Sequence, residues 1–210
     1  MKLTKFGHAC FVVEKNKASI IVDPGNMTHD FIMPKHVTAI FVTHGHPDHI
    51  DNQLVISILR EHPDALLLAH ESVLVDYQNE RHQAVSVGET VDAGGIVLKF
   101  VGGTHEPIDS SITPPANLGV IIDEHLYYPG DSYFAPEQPV KELLLPISAP
   151  WLTIGNAMNL VRTLKPTYIF PTHDHILSDD GKNLIDGMVK HITSGMDLTY
   201  QRINGEVIEL

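Results

Sequence analysis

The sequence predicts one α/β domain that spans residues 1–210. Apolar runs typical of strands alternate along the chain with amphipathic segments typical of helices. Neither a Gly/Ser-rich linker nor a low-complexity tract separates them. A chain of 210 residues has room for one large domain or two small ones, and the uninterrupted alternation favours one.

The first part of the chain predicts strands and a capped helix. The runs CFVVEK and ASIIVD are two strands joined by the dipeptide NK, which suits a hairpin, and the second run ends at the turn sequence DPG. TAIFVT is a buried strand. Asp51 is placed to cap a helix through NQLVISILREH, with Leu54 and Ile58 on its apolar face. ALLLAH is another strand, and Ser72 is placed to cap a short helix that ends at Tyr77.

The rest of the chain continues this alternation. Strands are predicted for the runs GIVLKFV, LGVIID, HLYYPG, ELLLPI and TYIFPT, and helices for TIGNAMNLVRTL and SDDGKNLIDGMVKHI. The final segment, LTYQRINGEVIEL, predicts a hairpin around Asn204-Gly205. The longest irregular stretch covers residues 102–117. Its prolines and polar residues prevent a regular element, and loops of this length are often functional.

Composition limits the classes of function. The formal net charge is −12, from 14 basic and 26 acidic residues, which disfavours capture of nucleic acid. No apolar stretch approaches the roughly 20 residues needed to span a bilayer, and the N-terminus lacks the apolar centre of a signal peptide. Cys10 is the only cysteine, so an intrachain disulfide is excluded. We therefore expect a cytoplasmic protein with a small-molecule substrate and no nucleic-acid or membrane partner, and a homo-oligomer stays open.

Potential metal ligands crowd the octapeptide VTHGHPDH, which follows a buried strand. Alternation along an extended chain points the imidazoles of His44 and His46 to the same side. Pro47 stiffens the turn, after which Asp48 and His49 can face a second point nearby. Imidazole and carboxylate ligands suit zinc, and also iron or manganese. Two such metals about 3.5–4 Å apart form a known hydrolytic device.

A second segment repeats part of this pattern. AIFVTHGH, at residues 39–46, and YIFPTHDH, at residues 168–175, both place Thr-His-x-His after an apolar run. Strand ends that share an edge of a layered α/β fold commonly build its functional site. We expect these two strand ends to bring their histidines to one edge.

The H-x-H-x-D-H run, with Asp23 upstream, resembles the metallo-β-lactamase-fold hydrolases. Three downstream motifs, GGTHEP, YPGDS and FPTHDH, occur in the order of that family. The segments GHACFVVE, PGDS and LLLPISAPW are similar to a compact subgroup that includes ascorbate-6-phosphate lactonase-like proteins. The resemblance implies a four-layer αββα sandwich, in which two sheets pack face to face with helices outside and metals at one edge.

The resemblance also implies a set of metal ligands. One metal is assigned to three histidines, the second to two histidines and an aspartate, and a further aspartate bridges them. The first metal is assigned to His44, His46 and His105, and the second to Asp48, His49 and His173. The bridging aspartate is Asp131. Asp48 and Asp131 are the expected catalytic residues, and Asp23 supports the metal loop. The expected cofactor is two divalent metal ions, zinc first, with manganese and iron as alternatives.

The expected function is hydrolysis of a small ester, lactone or phosphoester by a metal-bridging hydroxide. The motifs do not specify the substrate, because many activities share them. A di-iron oxidoreductase on the same fold is one alternative, although that group usually has glutamate where this chain has His46. A metal-binding protein without catalysis is another. The roles of His8, Trp151, Asp174 and His175 stay open, and Cys10 is expected in the core.

Overall fold

A computed structural model describes residues 1–77 and 80–210. Within these ranges, seven strands form a first mixed sheet. From one edge to the other they are β14 (Val207–Glu209), β1 (Lys2–Phe6), β2 (Cys10–Lys15), β3 (Ala18–Val22), β4 (Val37–Val42), β5 (Leu66–Ala69) and β6 (His82–Ala84). The first four of these strands pair antiparallel, and β3 to β6 pair parallel.

A second mixed sheet also contains seven strands in the described part of the chain. From one edge to the other they are β13 (Thr199–Tyr200), β12 (Tyr168–Thr172), β11 (Glu142–Pro146), β10 (Leu126–Tyr128), β9 (Ala116–Ile122), β8 (Val97–Thr104) and β7 (Thr90–Asp92). Here β13 to β10 pair parallel, and β10 to β7 pair antiparallel.

Helices cover the outer face of each sheet. The helix α1 (Asn52–Glu61) packs on the first sheet, and α2 (Ile154–Leu164) and α3 (Asp179–Ile192) pack on the second. The predicted four-layer αββα sandwich is therefore confirmed. None of the helices in the described ranges has both the length and the apolar character needed to cross a bilayer.

Strand alternation explains why both faces of each sheet are apolar. In β3, Ile20 points between the sheets, whereas Ile21 points toward α1. In β9, Val120 points between the sheets, whereas Ile121 points toward α2 and α3. Sheets covered on both faces require nearly continuous apolar runs, and these runs made the strands recognisable from the sequence.

Each helix begins at a side chain that caps its first turn. Asp51 accepts hydrogen bonds from two backbone amides of α1. Thr153 caps α2, and Ser178 caps α3, through their hydroxyl groups. These contacts satisfy amides that have no partner inside the helix, so the three long helices follow from local sequence.

Some predicted elements differ in the structure. The C-terminal hairpin is wrong, because β13 pairs with β12 in the second sheet while β14 pairs with β1 in the first. The segment that ends at Tyr77 is a single 3-10 turn, Leu74–Tyr77. The irregular stretch is shorter than residues 102–117, because β8 continues to Thr104 and β9 begins at Ala116.

A buried ionic cluster attaches the C-terminal segment to both sheets. Lys5 is fully buried on β1, and its ammonium group lies 2.8 Å from Asp174 Oδ1, just beyond β12. Arg202 pairs with the other oxygen of Asp174 and also with Asp186 on α3. Burial lowers the pKa of Lys5, and the charge of Asp174 opposes this shift. The cluster joins segments that are far apart in sequence.

We predict that Asp174→Asn lowers the free energy of unfolding by about 3 kcal/mol, because Lys5 would remain buried without an anionic partner. Urea denaturation of metal-free protein measures this change. The matched control is Glu209→Gln, which removes an exposed ion pair with Lys2 and should cost less than about 0.5 kcal/mol. Equal effects of the two substitutions would contradict a structural role for the buried cluster.

Candidate metal centre

The seven predicted ligands converge at one edge of the sandwich. They come from loops that follow strands of both sheets: β4 in the first, and β8, β10 and β12 in the second. The loop after β4 carries His44, His46, Asp48 and His49. His105 follows β8, Asp131 follows β10, and His173 follows β12. The expectation that the ends of β4 and β12 share an edge agrees with this arrangement.

One group of donor atoms forms around Asp131 Oδ2. His44 Nε2 lies 3.0 Å from His46 Nδ1. Asp131 Oδ2 lies 3.2 Å from His105 Nε2 and 3.9 Å from His44 Nε2. Ligands at tetrahedral positions about 2.0–2.1 Å from a zinc ion lie about 3.3 Å from one another. The spacing of these four donors fits a common cation.

A second group forms around the other oxygen of Asp131. Asp131 Oδ1 lies 3.1 Å from His49 Nε2 and 2.8 Å from His173 Nε2. Asp48 lies at the side of this group, with Oδ2 3.7 Å from His49 Nε2. The same oxygen lies 3.5 Å from His8 Nε2, so Asp48 clusters with His8 and His173. His8 was not among the predicted ligands.

Several buried atoms of the cluster have no hydrogen-bond partner among the described residues. They are His49 Nε2, His105 Nε2, His173 Nε2 and Asp131 Oδ1. Buried polar atoms in proteins are nearly always satisfied, so a group of unsatisfied ones that face each other requires an explanation. A cation at their centre would provide it, and imidazole with carboxylate is a donor set that zinc, iron and manganese accept. The cluster is therefore capable of binding metal.

The charges in the cluster favour an ionised Asp131. Burial alone would raise the pKa of its carboxyl group, but His173 and His49 hold that pKa well below the ordinary value. Burial would lower the pKa of His49, yet Asp131 and Asp23 raise it well above the ordinary value. An ionised carboxylate is the form that a metal ligand must have, and binding of a cation would release the extra proton that these carboxylates favour on His49.

Hydrogen bonds behind the imidazoles fix which nitrogen faces the cluster. His49 Nδ1 lies 2.6 Å from Asp23 Oδ2, so its proton is held there and Nε2 points inward. Thr43 donates its hydroxyl proton to Asp23 and can therefore accept one from His44 Nδ1 at 3.0 Å. His105 Nδ1 contacts the carbonyl oxygen of Glu106. Such outer contacts orient metal ligands in many proteins.

Two supporting residues were missed from the sequence. Asn117 is fully buried, accepts a hydrogen bond from the backbone amide of Asp131 at 3.0 Å and donates one to the carbonyl of Pro129 at 2.9 Å. Thr43 connects Asp23 to the imidazoles. The sequence contained weak signals for both: Asn117 precedes the apolar run LGVIID, and threonine precedes the first histidine in both copies of the Thr-His-x-His pattern.

The residues with open roles fall into three environments. Trp151 donates from Nε1 to Asp131 Oδ2 at 2.8 Å, so it touches the cluster directly. Asp174 points away from the cluster into the ionic pairs with Lys5 and Arg202. His175 is exposed and contacts the ring of His29 in a tilted arrangement, with ring centroids 4.2 Å apart.

A cleft of about 420 Å³ opens onto the cluster. His46, His105, Asp131 and His173 form its floor, and the loops carrying Met27, Ile108, Pro150 and Trp151 form part of its walls. Asp48 is the most exposed carboxylate of the cluster, with 28% of its side chain accessible.

A family profile described as the β-lactamase superfamily domain matches residues 2–173. The chain belongs to the β-lactamase superfamily. The matched range includes all seven predicted ligands, and the resemblance inferred from the motifs is confirmed.

Relatives in this superfamily extend over nearly the whole chain. Protein Rv0786c of Mycobacterium tuberculosis is 31% identical over 92% of this chain and 93% of its own length. The UPF0173 metal-dependent hydrolase MJ1163 of Methanocaldococcus jannaschii is 26% identical over 99% of this chain and 100% of its own length. The solved structure of Igni18, a metallo hydrolase from Ignicoccus hospitalis, has a TM-score of 0.75 at 22% identity and covers 100% of this chain and 98% of its own.

These comparisons agree with the fold and with the enzyme class. At 22% identity the likeness to Igni18 supports the fold alone. The relatives described as metal-dependent hydrolases confirm the expected class for this superfamily member, and they leave its substrate unassigned.

We predict that Gly25→Ala disturbs the metal loop, residues 43–49, which carries four of the predicted ligands. A Cβ at this position would lie 1.9 Å from the carbonyl oxygen of Asp48, so the loop must move. We expect a loss of about 1–3 kcal/mol in stability and roughly 10–100-fold weaker metal binding. Gly187→Ala is the control, because a Cβ at this helical position meets no other atom. Alanine there should raise the free energy of unfolding by about 0.5–1 kcal/mol and leave metal affinity unchanged. Unchanged zinc affinity in Gly25→Ala, measured by competition with a chelating dye, would contradict the prediction.

A second substitution tests for a thiol mechanism. Cys10 is buried in β2, and burial raises the pKa of its thiol to about 12. We therefore predict that Cys10→Ala leaves kcat/KM unchanged, and that iodoacetamide labels the folded wild-type protein only after denaturation. Loss of turnover in a folded Cys10→Ala variant would show that the thiol participates.

Proposed function

We propose that residues 1–210 form one domain that hydrolyses a small ester, lactone or phosphoester with two divalent cations, zinc first. The observation that supports two cations is the position of the Asp131 carboxylate. Oδ2 lies near His44 and His105, and Oδ1 lies near His49 and His173. One carboxylate that serves two separate sets of nitrogen donors is the arrangement expected of a bridging ligand.

Each residue has a proposed role in holding the cations. His44, His46 and His105 would hold the first, His49, His173 and Asp48 would hold the second, and Asp131 would contribute to both. When bound, the two cations would lower the pKa of a water between them and stabilise negative charge on the substrate oxygen. Zinc is the preferred metal because sites rich in histidine with carboxylates suit it, and manganese and iron are the alternatives.

The protein side chains orient this chemistry. Trp151 fixes Asp131 by donating to Oδ2, and Asp23 keeps the proton of His49 on Nδ1. The hydrogen bond from His8 and the charge of His49 outweigh burial and lower the pKa of Asp48. An ionised Asp48 at the wall of the cleft can accept a hydrogen bond from a water molecule. This bond would orient a lone pair of the water oxygen toward the substrate. Asp48 and Asp131 are thus the proposed catalytic residues.

The two alternative functions differ in measurable ways. A di-iron oxidoreductase would bind iron in preference to zinc and would consume an oxidant. A non-catalytic metal-binding protein would bind cations without turning over any substrate. The cleft that opens onto the cluster favours a catalyst over a purely binding role. A cytoplasmic location, the lack of nucleic-acid and membrane partners and the possibility of a homo-oligomer stay predictions.

We predict about two transition-metal ions per chain in protein purified without chelator, because two donor groups share one bridging carboxylate. Elemental analysis measures this number. His46→Ala should lower it and abolish ester hydrolysis, whereas His191→Ala, an exposed histidine on α3, should change neither. No more than one tightly bound ion in the metal-replete wild type would contradict the binuclear proposal.

A further inference from the structure

The walls of the cleft are mainly apolar and partly open to solvent. Ile108, on the loop after β8, is 43% exposed, and Ile176, after β12, is 50% exposed. Met27, Pro150 and Trp151 add further apolar surface to the same cleft. Large apolar side chains that remain exposed at the opening of a site lose contact with water when a ligand covers them. This surface is therefore suited to an apolar part of a substrate.

The cleft also lacks the groups that recognise phosphate. Within the described ranges, neither lysine nor arginine lines it. Apart from the seven cluster residues, its polar side chains are His8, Asn26 and Ser148. The most accessible charge in the cleft is the carboxylate of Asp48, within the cluster itself. Recognition of a phosphate usually requires arginine, lysine or a helix N-terminus. A phosphate group away from the reacting centre would have no cationic side chain to bind.

We infer that the substrate is an uncharged carboxylic ester or lactone that carries an apolar group. This inference rests on the proposed hydrolase function and assigns the chemistry of its substrate. The carbonyl group lies at the metal cluster, and the apolar group packs on Ile108, Ile176 and Trp151. Water adds to the carbonyl carbon, the bond from that carbon to the leaving oxygen breaks, and the leaving oxygen takes a proton. The products are a carboxylic acid and an alcohol, which remain joined in one molecule if the substrate is a lactone.

Trp151 provides a binding assay that does not depend on turnover. It is the only tryptophan of the chain and borders the cleft, so its fluorescence should report on ligands there. We would titrate the metal-loaded protein with linear amides from acetamide to octanamide, which carry a carbonyl group but resist hydrolysis. Each added methylene should tighten binding by up to about fourfold until the apolar wall is covered. Glucose 6-phosphate, as a charged probe, should bind more weakly than octanamide.

Variants test whether the named wall carries this preference. Ile108→Asn and Ile176→Asn should each reduce the dependence of affinity on chain length. Ile112→Asn is the matched control, because Ile112 lies in the same loop as Ile108, is 50% exposed and does not line the cleft. Affinity that does not rise with chain length, or tighter binding of glucose 6-phosphate than of octanamide, would overturn the inference. A loss of chain-length dependence in Ile112→Asn equal to that in Ile108→Asn would overturn it too.

Turnover separates this inference from the proposed function. The metal-loaded protein should hydrolyse p-nitrophenyl esters with kcat/KM rising from acetate to octanoate, and should act poorly on p-nitrophenyl phosphate and bis-p-nitrophenyl phosphate. Preference for a phosphate substrate would overturn the inference while leaving a metal-dependent hydrolase. Amide binding that rises with chain length, without turnover of any ester or phosphoester, would support the apolar site and contradict the proposed hydrolase.

Discussion

The carboxylate of Asp131 lies at the edge of the sandwich where loops from both sheets meet, and the imidazole nitrogens of His49, His105 and His173 lie 2.8–3.2 Å from its oxygens. A buried carboxylate is unfavourable unless charge and hydrogen bonds compensate it. The structure provides both: Asn117 accepts a hydrogen bond from the backbone amide of Asp131, Trp151 donates one to its carboxylate, and His173 and His49 supply opposing charge. Loops from four strands must meet at this point, and their relative positions therefore depend on it.

The support behind the cluster is built from backbone as much as from side chains. Asp23, with a left-handed φ of 46°, bonds the backbone amide of Thr43 and the imidazole of His49, and it thereby attaches the end of β3 to the metal loop. His173 also adopts a left-handed φ, of 62°, and its amide bonds the carbonyl of His8. Residues other than glycine rarely adopt such values, and they are maintained only where surrounding contacts enforce them. The strain coincides with the candidate site in both cases.

The metal cluster bears on the type of reaction, whereas the cleft walls bear on the substrate. Two groups of histidines around an aspartate define a type of reaction that many members of the superfamily can share, and they leave the substrate open. In the substrate preference we infer, Ile108 and Ile176, on loops at the opening of the cleft, would contact the apolar part of the substrate. Both the cluster and the walls lie on loops, but the cluster residues follow directly on strands and are fixed by buried hydrogen bonds, whereas Ile108 and Ile176 are exposed.

Much of this protein could be predicted from the sequence, because the determining interactions are local. Side-chain caps place the helices, continuous apolar runs place the buried strands, and the run from His44 to His49 sets donor types and spacing within six residues. The tertiary structure alone decided how distant segments combine. It sends β13 and β14 to different sheets, brings His8 beside Asp48, and pairs Lys5 with Asp174 across 169 residues. These contacts depend on which sheet edges and loops meet after packing, and a local pattern does not contain that choice.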